Sequence, residues 1–178
     1  MRGRIGYALG GAAQTTTVMV IAVMLTFYYT DVLGINIAKV AVVMMLSRFL
    51  DGGSDILAGI IVDRTKSKYG KARPWLLRML IPHFIGLIAM FTVPHTTENL
   101  QLVYIFIAYN FANTIVNTMA GLSLTSLNSL MTRNEKERSI LNGYREVGAP
   151  IMEFLINSFA IPLASAFGGD QKAYIIVM

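Results

Sequence analysis

The sequence predicts an all-α polytopic membrane protein, on three observations. Hydrophobic residues make up 54% of the 178 residues and charged residues only 14%, against about 25% charged in a typical soluble domain. So few charges cannot cover the surface of a soluble domain of this size. Apolar stretches of about 20 residues, the length an α-helix needs to cross a bilayer, recur along the chain. Nearly all the basic residues fall between those stretches or at their ends.

The first stretch runs from about Ile5 to Tyr29. It is too long for a signal-peptide core and has no evident small-residue cleavage site, so it reads as a retained span. The second covers about 37–62, the third about 75–93 and the fourth about 100–122, with room to extend to Met131. The fifth runs from about 147 to 167, and a sixth begins near Ala173 and is cut off at Met178. Five spans of about 20 residues take roughly 100 of the chain, so twelve do not fit. The whole of 1–178 therefore reads as one helical bundle, with 134–138 as a solvated helical linker capped by Asn134.

Charge sorts the loops by side. Arg2, Arg4, Arg64, Lys66, Lys68, Lys71, Arg73, Arg78, Arg133, Lys136, Arg138 and Arg145 lie in or beside the N-terminus and the even-numbered loops. Only Lys39 and Lys172 lie near the odd-numbered loops, and Arg48 is inside a span. The positive-inside rule then places the N-terminus and the 62–74 and 132–143 loops in the cytoplasm of a cell-membrane protein. The net charge of +5 is accordingly a topology signal and not a nucleic-acid patch. With no cysteine in the chain, disulfide frameworks and thiolate metal sites are excluded.

The second stretch carries Arg48, Asp51 and Asp55, with Asp51 and Asp55 one helical turn apart on one face and Arg48 one turn before. Each such charge costs about 2.5–3.5 kcal/mol at a helix centre on translocon scales, so the three must face a bundle interior, water or one another. One Arg and two Asp leave a net −1. A monovalent cation, or a proton on one Asp, neutralises the cluster, which points to a cation-coupling site; an internal cluster that only holds helices together is the alternative. Gly52, Gly53 and Gly59 are expected to permit close helix approach. No facing carboxylate, HExxH or GxSxG supports an enzyme.

Several of these segments together resemble a known family. Phe27-Tyr28-Tyr29-Thr30-Asp31-Val32 closes the first span, 48–55 reads RFLDGGSD, and Gly59-Ile-Ile-Val-Asp63-Arg64 leads into Ser67-Lys-Tyr-Gly70-Lys71-Ala-Arg73-Pro74-Trp75. With Ser126 to Thr132, Glu137-Arg138 and Tyr144 to Ala149, their order and spacing resemble the glycoside–pentoside–hexuronide:cation symporters of the major facilitator superfamily, the melibiose permease-like sugar permeases. The resemblance implies the N-terminal half of such a transporter: five full transmembrane helices and the start of a sixth. It implies a cation site at Asp51, Ser54, Asp55 and Thr118 with Arg48 as charge partner, and an Arg near the sugar at Arg145. It implies no cofactor beyond a coupling cation (sodium, proton or lithium) and no metal site other than sodium at Asp51 and Asp55. Where melibiose permease has sugar-contacting Asp residues, this chain has Thr15 and Gly121, so galactoside specificity does not transfer.

Further substrate-binding candidates are Gln14 and Thr15 in the first span and Asn110, Asn113 and Asn117 in the fourth. The three Asn, with Thr114, form a polar stripe that lines a substrate path or else joins helices. Asp63, Arg64 and Arg73 belong to a loop that either anchors topology or latches helix ends during gating. His83 and His95 lack a second ligand at metal spacing. The expected function is cation-coupled symport of a glycoside or other small solute by alternating access, with the lipid bilayer and a missing C-terminal half or second copy as partners. The other reading is a truncated bundle without transport activity of its own, acting at most as a structural or assembly partner.

Overall fold

A computed structural model describes residues 2–68, 70–131, 134–168 and 173–175. Among them the chain is helical apart from short connections, and contains no strand. Five long helices occupy residues 2–32, 37–64, 73–91, 98–131 and 135–166, and a short helical piece covers 173–175. The first is α-helical over Arg2–Met19 and widens into π-helical turns at Val20–Leu25 and Tyr28–Val32. The fourth is α-helical at both ends, Glu98–Tyr109 and Thr118–Met131, with a π-helical centre at Asn110–Asn117.

Local chemistry sets the helix ends. Gly34 takes a positive φ of 67° in the turn after the first helix, a conformation cheap only for glycine. Asn36 then caps the second helix, its Oδ1 accepting from the Ala38 amide at 2.8 Å. Pro74 opens the third helix in its first turn, where the missing N–H costs nothing. Asn134 caps the fifth, accepting from the Lys136 amide at 3.0 Å. That cap makes the expected linker and the expected fifth span one continuous helix, Glu135–Ala166, starting twelve residues before the expected 147.

The first helix packs chiefly along the fifth, the second along the fourth, and the third against the fourth. Third and fourth helices touch backbone to backbone at Gly86, where a Cβ would stand 2.7 Å from the Ala112 Cβ. Gly52, Gly53 and Gly59 behave differently from the expectation. A Cβ at any of them meets nothing within 4 Å, so they smooth an open face of the second helix and mediate no close approach among the described residues.

The main core gathers at one end of the bundle around Tyr28, Tyr29, Met90 and Phe91, with Tyr174 from the short last helical piece. Tyr28 donates to the Phe91 carbonyl at 2.8 Å and Tyr29 to the Met90 carbonyl at 3.0 Å. Tyr104 donates to the Ala89 carbonyl at 3.0 Å. These are carbonyls of the last turn of the third helix, which lack the i+4 amide of a continuing helix; Ala89 also accepts from the Thr92 amide at 3.2 Å. Three tyrosine hydroxyls satisfy them where water is scarce.

Two helices are long and apolar enough to cross a membrane by length and composition, Arg73–Phe91 and Glu98–Asn128. Many large apolar side chains point outward on the second and third helices, Phe49 and Leu77 among them at 74% and 75% exposure. A surface of that kind suits lipid or a further helical layer.

Candidate functional site

Along the second helix, Val40, Val43, Ser47, Ala58 and Val62 are buried. Asp51 and Ser54 continue the same stripe and are half-buried. The spacing of three and four residues keeps the stripe on one face, and that face meets the π-helical centre of the fourth helix. Widened turns shift hydrogen bonding from i−4 to i−5 and re-aim the side chains that follow, a device frequent at functional sites.

A hydrogen-bonded chain results. Ser47 donates to the Val43 carbonyl at 3.0 Å and accepts from Asn110 Nδ2 at 2.9 Å. Asn110 Nδ2 also donates to the Phe106 carbonyl at 2.7 Å. The Thr114 hydroxyl stands 2.6 Å from Asp51 Oδ1 and 3.0 Å from Asn110 Oδ1. A hydroxyl has one proton, and the shorter bond, to the carboxylate, is the stronger. Ser54 donates to the backbone carbonyl of Asp51 at 2.9 Å, and its oxygen keeps its acceptor capacity.

Of the expected cation-site residues, then, Asp51 and Ser54 lie side by side. Asp55 and Arg48 stand on the adjoining exposed strip of the same helix, and no ion pair joins Arg48 to either carboxylate among the described residues. Thr118 is half-buried one turn beyond Thr114. The hydroxyl on Asp51 is that of Thr114, which sequence reasoning placed only in the polar stripe. Its i+4 relation to Asn110 was visible; its partner 63 positions away was not. Beside the pair a cavity of about 300 Å³ opens between the second, third and fourth helices, its wall including Ser54, Ala58, Thr114 and Met119.

The substrate candidates divide. Asn110 is committed to joining helices. Asn113 donates to the Tyr109 hydroxyl at 3.4 Å and Asn117 to Asn113 Oδ1 at 3.5 Å, a ladder running along one helix. Asn117 Oδ1 is buried without a partner among the described residues. Thr15 donates to the Gly11 carbonyl at 3.1 Å. Gln14 reaches across to the fourth helix, and its side-chain amide lies where a Cβ on Gly121 would project. Thr15 and Gly121, the two positions expected to depart from the melibiose permease pattern, therefore flank Gln14. The Arg145 side chain lies outside the described residues.

In the expected gating loop, Lys71 Nζ and Asp63 Oδ1 are 3.9 Å apart, both well exposed, and such pairs contribute little. Arg64 and Arg73 are exposed. What fastens the loop is Trp75, whose indole N–H donates to Thr65 Oγ1 at 2.8 Å while the Arg78 guanidinium lies 5.4 Å over its ring. His83 Nε2 is 2.8 Å from Thr17 Oγ1, a link between first and third helices. Among the described residues no three His, Cys, Asp or Glu side chains group as a metal set.

Comparison with known proteins supplies the family. Residues 6–178 match the model of the MFS/sugar transport protein family. The inner membrane symporter YicJ of Escherichia coli K12 is 30% identical over 172 residues, covering 97% of this chain and 37% of that protein. The isoprimeverose transporter of Lactiplantibacillus pentosus is 29% identical, covering 96% of this chain and 35% of its own length. The glucuronide carrier protein homolog of E. coli K12 is 30% identical over 83% of this chain and 32% of its own. The chain spans about a third of the length of the curated relatives it matches. The names of these relatives are those of a symporter, a transporter and a carrier. With its match spanning nearly every residue, this chain belongs to the MFS/sugar transport protein family.

Proposed function

We propose that residues 1–178 form the N-terminal bundle of a cation-coupled symporter for a sugar or related small solute. Five helices cross the cell membrane and a sixth begins, with the N-terminus in the cytoplasm. One observation carries the reading most: a carboxylate in mid-helix, Asp51, half-buried and held by an oriented hydroxyl, with a second carboxylate one turn away on the open side. Ionisable groups inside a span are rare and face pathways or partners. The relatives' names, symporter and sugar carrier, support the transport class.

In this mechanism the coupling ion is a substrate, bound between Asp51 and Asp55 with Ser54 and Thr118 as neutral oxygen donors. It brings the Arg48–Asp51–Asp55 group from −1 to neutral. A neutral site can be enclosed by a second bundle at far lower cost than a charged one. The solute binds beside it, among Gln14, Thr15, the Asn113–Asn117 ladder and Arg145, and rocking of two bundles about the site alternates access. Coupling is reciprocal: the ion raises solute affinity by the factor that solute raises ion affinity. The exposed strip of Arg48, Asp55, Gly52 and Gly53 is the face offered to a C-terminal half or second copy.

Asp51→Asn and Asp55→Asn, introduced into the full-length gene product, are each expected to abolish gradient-driven solute uptake in vesicles. Full accumulation driven by an ion gradient in both variants would overturn the cation site.

A further inference from the structure

The Thr114–Asp51 bond adds a residue to this site, and the argument rests on the cation-site reading above. Thr114 is 4% exposed and lies behind Asp51, on the bundle side, whereas Asp55 is on the open side. Its hydroxyl engages Oδ1 at 2.6 Å. That bond leaves the other carboxylate oxygen, Oδ2, to take an ion. Thr114 is itself held in place. Asn110 accepts at 3.0 Å as an alternative partner, and Asn110 is fixed by Ser47 and the Phe106 carbonyl. Ser47 is fully buried.

We propose that Thr114 is a positioning residue of the cation site, presenting Asp51 as a fixed single-oxygen ligand for the coupling cation. A carboxylate whose rotation is already frozen loses less freedom when it takes up an ion. The hydroxyl also has two seats, Asp51 Oδ1 and Asn110 Oδ1. An ion that draws negative charge from Asp51 weakens the first bond relative to the second. The Asn110–Ser47 link between the helices thereby registers occupancy of the site.

The test uses the full-length gene product in detergent, with Na⁺ and Li⁺ themselves as probes and choline as the inert control, read by calorimetric titration and by ion-dependent thermal protection. Thr114→Val removes the hydroxyl and keeps the shape. It is expected to weaken Na⁺ binding about ten-fold, the scale of one charge-assisted hydrogen bond. Thr114→Ser is expected to restore binding to within about two-fold, since the donor returns. Melting temperatures in choline report folding separately from ion affinity. Unchanged Na⁺ affinity in Thr114→Val overturns the assignment, as does a Thr114→Ser variant as weak as Thr114→Val, which would make the methyl group the active part. A wild-type protein that binds neither ion also overturns it. The cation-site reading is decided independently by the Asp51→Asn and Asp55→Asn uptake experiment.

Discussion

Glycine placement at single positions decides how closely the helices approach. Gly86 faces the Ala112 Cβ and backbone at distances no Cβ can share, so Gly86→Ala forces the third and fourth helices apart or strains them. Overpacking of this kind costs about 1–3 kcal/mol, and thermal unfolding of the purified protein should show the loss while Gly6→Ala, in open space, stays near wild type. Gly121 acts by making room: any side chain there must displace the Gln14 amide. The sequence marked Gly121 only as a missing carboxylate. That Gln14 fills the vacancy was not legible, because the two residues are over a hundred positions apart and nothing local to either names the other.

Helices as elements were largely legible, since about 20 apolar residues in a row leave few other folds. The second helix was readable even though Arg48, Asp51 and Asp55 interrupt it. Two features escaped. The fifth helix runs unbroken from Glu135, capped by Asn134; the sequence marked 134–138 as a capped helical linker but began the span at 147, because the polar residues between carry no hydropathy signal to join the two. Asn134→Ala should therefore destabilise that first turn by about 1 kcal/mol, detectable as faster amide exchange over 135–138 with the 150s unaffected. The π-helical centre of the fourth helix is the second. Its wide turns bring Thr114 to Asp51, and periodicity at 3.6 residues per turn cannot anticipate a local change of pitch.

At the scale of the molecule, the charge asymmetry predicts orientation. With no native cysteine, single Cys residues report sidedness directly. Cys at Lys68 should be labelled by an impermeant thiol reagent only from the cytoplasmic side, and Cys at His95 only from outside. The reverse pattern would invert the topology. Two of the helices pass as spans on apolarity alone. The second does not, since Arg48, Asp51 and Asp55 interrupt it, and the charges that spoil the span are those that make the site.

The tyrosine hydroxyls on the third helix carry a mechanical consequence. Tyr28 and Tyr29 belong to the first helix, the carbonyls they hold to the third, and Tyr174, stacked 6.3 Å from Phe91 and nearly parallel to it, to the last described segment. The first and third helices are thus riveted at one end with the last segment packed on the joint, and neither helix can pivot there without stranding a carbonyl in an apolar medium. Motion of the bundle has to treat that end as a single lever arm, with its fulcrum elsewhere.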